Sequence, residues 1–195
     1  LILGVNELKL KTMKKSYLRE VAITLSLVLT GLFMHTGTMA QDSKANKLIA
    51  DCNTAKAEFI KSDGLMQGLL DKAYGYVIFP NVGKGAIGVG GAAGNGILFE
   101  QGKTVGTAKL KQVSIGFQFG GQAYREIIFF ETKEALDRFK QDKFEFSAQA
   151  SAVAVTAGAS ADAKYRDGVM VFTMAKGGLM YEASVGGQKF SYSAF

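Results

Sequence analysis

The stretch YGYVIFPNVGKGAIGVGGAAGNGILFE, residues 74–100, decides the fold. Residues 74–80 are aromatic and β-branched and stop at Pro80-Asn81, a turn signal, so they read as a strand. KGAIGVGGA (84–92) and GILFE (96–100) read as further strands, broken by glycine. Glycine inside strands marks bends, bulges or places where another backbone comes close. A run this rich in it points to a sheet that curls.

Downstream the strand texture continues through KTVGTAKL (103–110), QVSIGFQFGGQ (112–122) and YREIIFFE (124–131). Val113, Ile115, Phe117 and Phe119 point one way, and Ser114, Gly116 and Gln118 the other. Residues 132–141 read as a helix, with Thr132 as its cap and Ala135, Leu136 and Phe139 facing inward. The small-residue stretch 144–161 reads as a long strand. GVMVFTMAK, GLMYEASVGG and QKFSYSAF then close the chain as a β-meander. Upstream, Ala45, Leu48, Ile49, Cys52, Ala55, Phe59 and Ile60 recur at helical spacing within residues 44–61, and residues 65–73 form a short second helix. The fold class is therefore α+β. It is mainly an antiparallel, curled, barrel- or sandwich-like sheet with one or two N-terminal helices and one short helix between strands.

Residues 13–40 have the anatomy of an export signal. Lys14, Lys15 and Arg19 precede an uncharged apolar run at 21–34, and small residues end at Ala40. The run has 14 residues, short of the roughly 20 a spanning helix needs. Residues 1–12 read as upstream extension and 41–195 as one domain. Losing residues 1–40 removes five of the 23 basic and two of the 17 acidic residues, leaving a net charge of +3. That balance disfavours a nucleic-acid ligand, which needs a clustered basic face. It is compatible with an anionic membrane surface.

The only histidine, His35, lies in the export segment, and the domain holds a single cysteine, Cys52. Imidazole-based catalysis and Cys/His zinc sites are therefore not expected, nor is any cofactor. Cys52 reads as a small buried hydrophobe on its helix. Gly83, Gly85 and Gly88 satisfy G-x-G-x-x-G after a strand, but more glycine follows where a dinucleotide site requires a helix. Glu126, Glu131, Glu145 and Glu182 lie in or beside strands without pairing, and read as solvated or edge charges.

Taken together, residues 74–100, the strand Ser114, Gly116, Gln118, Gly120, Gly121 and Gln122, and the terminal Gly178-Leu179 and Ser184–Gly187 resemble the SYLF lipid-binding domain. The likeness covers about residues 45–190. It implies a non-enzymatic module that contacts membrane lipids at the surface. With an export signal and no attached second module, it resembles an exported bacterial branch, periplasmic or secreted and peripheral to a membrane. Anionic phospholipid head groups are then the expected ligands. Expected contacts are Lys44, Lys47, Lys56 and Lys61 on the first helix, and Lys84 with Gly83 and Gly85 on the glycine-rich hairpin. A structural or protein-interaction module of the envelope, with no lipid ligand, is the alternative.

Overall fold

A computed structural model of the chain describes residues 42–87, 89–114, 122–141, 144–147, 151–176 and 183–195. The chain divides into two units, Leu1–Asn46 and Lys47–Phe195. The architecture below is that of the second.

Helix α1 occupies residues 42–62, α2 Met66–Lys72 and α3 Lys133–Lys140. The strands are β1 Gly75–Ile87, β2 Val89–Glu100, β3 Lys103–Ser114, β4 Gln122–Phe130, β5 Ser151–Ala154, β6 Val169–Ala175, β7 Ala183–Ser184 and β8 Gln188–Ala194. They form a mostly antiparallel sheet in the order β7-β5-β6-β4-β1-β2-β3-β8, with β5 and β6 parallel. The α+β, curled-sheet reading is borne out.

The strands are longer than the local sequence suggests. Pro80 does not end β1: the strand continues to Ile87, and its register shifts against both β2 and β4 around that residue. A bulge is where proline, lacking an N–H, is tolerated inside a sheet. The 144–161 stretch, by contrast, is not one strand. Among its described residues only Ser151–Ala154 form a strand, with Glu145 making an isolated bridge; turns occupy residues 157–162, and 148–150 lie outside the described residues. Small residues alternate without supplying the bulk that holds a strand in register. The closing strands are not a meander either, since β6 pairs with β4 and β8 returns to pair with β3.

The two sheet edges approach each other. Glu145 forms a bridge with Lys189 of β8, the Phe146 amide donates to the Gln188 carbonyl, and the Gly187 amide donates to the Phe146 carbonyl. The same stretch of chain then reaches β5 at the opposite edge. The enclosed face carries Val77, Phe79, Leu98, Leu110, Ile128, Phe130, Phe146 and Phe190, joined by Ala135, Leu136 and Phe139 of α3. Phe139 lies 5.0 Å from Phe130 and 5.3 Å from Phe190, ring centre to ring centre. Two glycines permit this packing. A side chain at Gly96 would meet the Phe79 ring at 2.7 Å and the Ile78 carbonyl closer still. Gly106 lies under the Tyr192 ring, whose hydroxyl donates to the Val105 carbonyl at 2.9 Å.

The outer face over β2, β1, β4 and β6 is covered by α1 and α2. Cys52, Ala55, Phe59 and Met66 are fully buried there against Ile78, Ile97, Phe129 and Phe172. The Cys52 thiol donates to the Ile78 carbonyl at 3.3 Å, and burial pushes its pKa up to about 12.

Thr132 caps α3 as its sequence position suggests, accepting from the Ala135 amide at 3.3 Å. Thr132→Ala is expected to lower stability by about 1 kcal/mol, read as a fall in the urea midpoint with an unchanged slope.

Candidate functional site

The sequence-derived lysines are scattered across the domain. Lys47 is exposed and paired with Asp51 at 2.9 Å. Lys56 stands over the Phe99 ring at 5.7 Å, its charge facing the π-surface. Lys44 and Lys61 are exposed on α1. Arg125 of β4 engages Glu58 of the same helix at 2.5 Å. The apolar stripe of α1 is committed to the sheet, so its outward face meets solvent with lysines interleaved by Asp42, Asp51 and Glu58. Inserting that stripe into a bilayer would first require the helix to leave the sheet.

Gly83, Lys84 and Gly85 lie in β1, in register with Ala93, Ala92 and Gly91 of β2. Gly83 has open space where a side chain would stand. Ser114 ends β3 opposite Gly90, and Gln122 opens β4 opposite Lys84. Gly116, Gln118, Gly120 and Gly121 lie outside the described residues.

A more coherent basic surface lies on β3 and β8. Lys109 and Lys111 are both exposed, while Leu110 between them is 1% exposed and belongs to the enclosed core. Strand alternation therefore puts both lysines on the outer face. Lys111 is directly opposite Lys189 of β8, and Lys109 is opposite Ser191. The adjoining β2 positions are Ala93 and Asn95, both exposed. Beyond them, Lys176 reaches Asn81 of β1 at 3.3 Å. The result is an exposed face of mostly short side chains bearing the ammonium groups of Lys109, Lys111 and Lys189. Glu145 reaches Lys189 at 3.4 Å, with both side chains well exposed. Like charges directly opposite each other in a sheet are destabilising, so the Lys111–Lys189 pair opposes the fold rather than supporting it. These lysines were missed from sequence, although the Lys109-Leu110-Lys111 alternation carried half of the signal.

The enclosed face holds a polar layer. Gln188 donates from Nε2 to Glu126 Oε2 at 3.0 Å and to the Tyr124 hydroxyl oxygen at 3.2 Å. Gln112, opposite Gln188 in register, donates to the Gly186 carbonyl at 2.8 Å. Burial, and secondarily the Glu126 charge, raises the Tyr124 pKa well above that of an ordinary phenol. Glu126 is thus not the solvated strand charge its sequence position suggests: it is fully buried, opposite Thr173 of β6. Its side chain follows the enclosed alternation set by Tyr124 and Ile128. Glu131 and Glu145 are exposed, and Glu182 lies outside the described residues.

Among the described residues no group of three or more His, Cys, Asp or Glu could hold a metal ion, and no helix is long and apolar enough to cross a membrane.

Residues 111–193 match the Ysc84 family model, described as Las17-binding protein actin regulator. A 124-residue stretch is 30% identical to Beta cell expansion factor A of Aeromonas veronii, over 63% of this chain and 47% of that protein. The chain thus spans about half the length of the curated relative it matches.

Proposed function

We propose, on the premise that residues 111–193 carry a Ysc84 (SYLF) domain, that this protein is an exported, non-enzymatic, peripheral lipid-binding protein. It rests on anionic head groups by the basic face of β3 and β8, with the α1 lysines as an outlying contribution. The single observation behind this reading is the register that sets Lys111 against Lys189, with Lys109 two residues along the same face. A sheet bears such a pair at a cost, and a surface of phosphates offsets it. Short neighbours such as Ala93, Asn95 and Ser191 let the strands lie close to a membrane plane. An export leader of the kind read in residues 13–40 would bring such a surface among envelope lipids.

The test uses an environment-sensitive fluorophore on Ser191→Cys, beside Lys109. The native Cys52 thiol is buried and will not label. Phosphatidylglycerol vesicles are expected to shift emission at that position, and to leave a label on Glu134→Cys, exposed on α3, unchanged. Equal responses at both positions would reject the assigned face.

The α1 lysines make a smaller contribution. Lys61→Glu is expected to weaken vesicle partitioning by about fivefold, since one basic residue near an anionic surface is worth about 1 kcal/mol. Sedimentation with vesicles reads this directly.

A further inference from the structure

The curled sheet has a seam. β4 lines one edge of β6 along its whole length, but on the other edge, among the described residues, the ladder with β5 begins only at Phe172. A cavity of about 970 Å³ occupies this seam, between Val169–Val171 and the segment 144–147. That volume is at the upper end of the range for small-ligand sites. Its wall includes Phe146, Val171 and Val185, which belong to the enclosed core, while Val153 of β5, also at the seam, packs with the outer cluster under the helices. The seam therefore leads from the surface to the hydrocarbon interior of the sheet.

The rim is charged. Arg138, Lys164 and Arg166 face Glu145, Asp162 and Asp167 around the same opening. Glu145 is engaged by Lys189, and Arg138 donates to the Asp167 backbone carbonyl rather than to its carboxylate. Lys164 and Arg166 are exposed and form no salt bridge among the described residues. Asp162 and Asp167 likewise form no salt bridge among the described residues, so three cations face two carboxylates not engaged elsewhere. An apolar wall beneath a rim with one cation in excess matches one acyl chain ending in an anion.

We infer that the seam between β6 and residues 144–147 binds a single-chain anionic amphiphile, its acyl chain against Phe146, Val171 and Val185 and its carboxylate or phosphate at Lys164 and Arg166. This site is separate from the β3–β8 face and takes monomers rather than a bilayer.

Isothermal titration of the full chain with palmitate and with lysophosphatidylglycerol, each below its micelle threshold, tests it. Monopalmitoylglycerol serves as the uncharged control. One-to-one binding of either anion is expected. Stronger palmitate binding identifies a carboxylate ligand, and stronger lysophosphatidylglycerol binding a phosphate. The uncharged control and the doubly reversed Lys164→Glu/Arg166→Glu chain should each bind at least about tenfold more weakly, a loss of about 1.4 kcal/mol. Val171→Trp, which fills the seam, should abolish binding. If that variant fails to fold, the exposed charge reversals still decide the matter. Absence of saturable binding by both anions, or binding untouched by the reversals, overturns the inference. Vesicle sedimentation of the reversed chain separates the two surfaces: retained vesicle binding with lost monomer binding is the expected pattern. Unaltered chain that binds palmitate but ignores vesicles would sink the membrane reading alone.

Discussion

Replacing Lys109, Lys111 and Lys189 together with glutamate is expected to weaken partitioning onto anionic vesicles by about a hundredfold or more, since three basic residues contribute about 1 kcal/mol each and reversal adds repulsion. The fold should tolerate the change. All three side chains are exposed, and the only described ion pair among them, Lys189 with Glu145, is a surface contact worth at most about 1 kcal/mol. The single Lys111→Glu separates binding from stability. It sets a carboxylate opposite Lys189, so it should leave the protein as stable or stabilise it by up to about 1 kcal/mol, while still weakening vesicle binding. Denaturation midpoints and vesicle sedimentation on the same preparations read both effects. A variant that loses stability and keeps its binding would show that the lysine pair serves the sheet, not a ligand.

Asp63→Ala is expected to be the most damaging single polar substitution, costing about 3 kcal/mol or more. Asp63 sits between α1 and α2 and is 2% exposed. One carboxylate oxygen accepts from the Leu65 amide at 3.1 Å, and the other from the Ser160 hydroxyl at 2.7 Å and amide at 2.8 Å. Removing it orphans the donors of Leu65 and Ser160 and unties the helical layer from the turns after β5. Burial works to raise the pKa of this carboxyl, but the hydrogen bonds from Ser160, Leu65 and Gly158 outweigh it and hold the value below that of an ordinary aspartate. A depressed folded pKa gives stability that is fully present above the unfolded value, about 3.9, and lost as pH falls through the folded one. Wild-type protein should therefore lose stability over the acid side of pH 4, and Asp63→Ala should show a flatter dependence there. Urea titrations from neutral pH downward measure both slopes.

Local pattern carried much of the fold. The cap at Thr132 and the helical spacing of Cys52, Ala55 and Phe59 each depend on neighbours a few positions away, while the alternation read at residues 113–119 falls mostly outside the described residues. Cys52 was legible as a buried hydrophobe for that reason. What local pattern could not carry was strand partnership. β8 returns to β3 from about 80 positions away, and that choice is made by packing on the enclosed face, where Phe190 meets Phe79 and Phe139. The same limit hid the site. Lys109 and Lys111 share a face by alternation alone, but Lys189 joins them only through that long-range register. Glu126 misled for a related reason: a carboxylate in a strand is usually solvated, and only the fold brings Gln188 to it. In the sequence Lys84 reads as a head-group contact, a basic residue near a strand end with glycines beside it that allow close approach. Here that segment is a hairpin arm, and none of the described contacts ties it to the α1 lysines.

The central claim is that an anionic surface is held electrostatically by the β3–β8 face. Partitioning of the unaltered domain between buffer and vesicles of pure phosphatidylcholine, or of phosphatidylcholine with phosphatidylglycerol, measured from low to high salt, tests it most directly. Strong uptake by the mixed vesicles, falling steadily as salt screens the charges, with little uptake by the neutral ones, is the predicted result. Uptake that is indifferent to both lipid charge and salt, or absent from every vesicle, would contradict it.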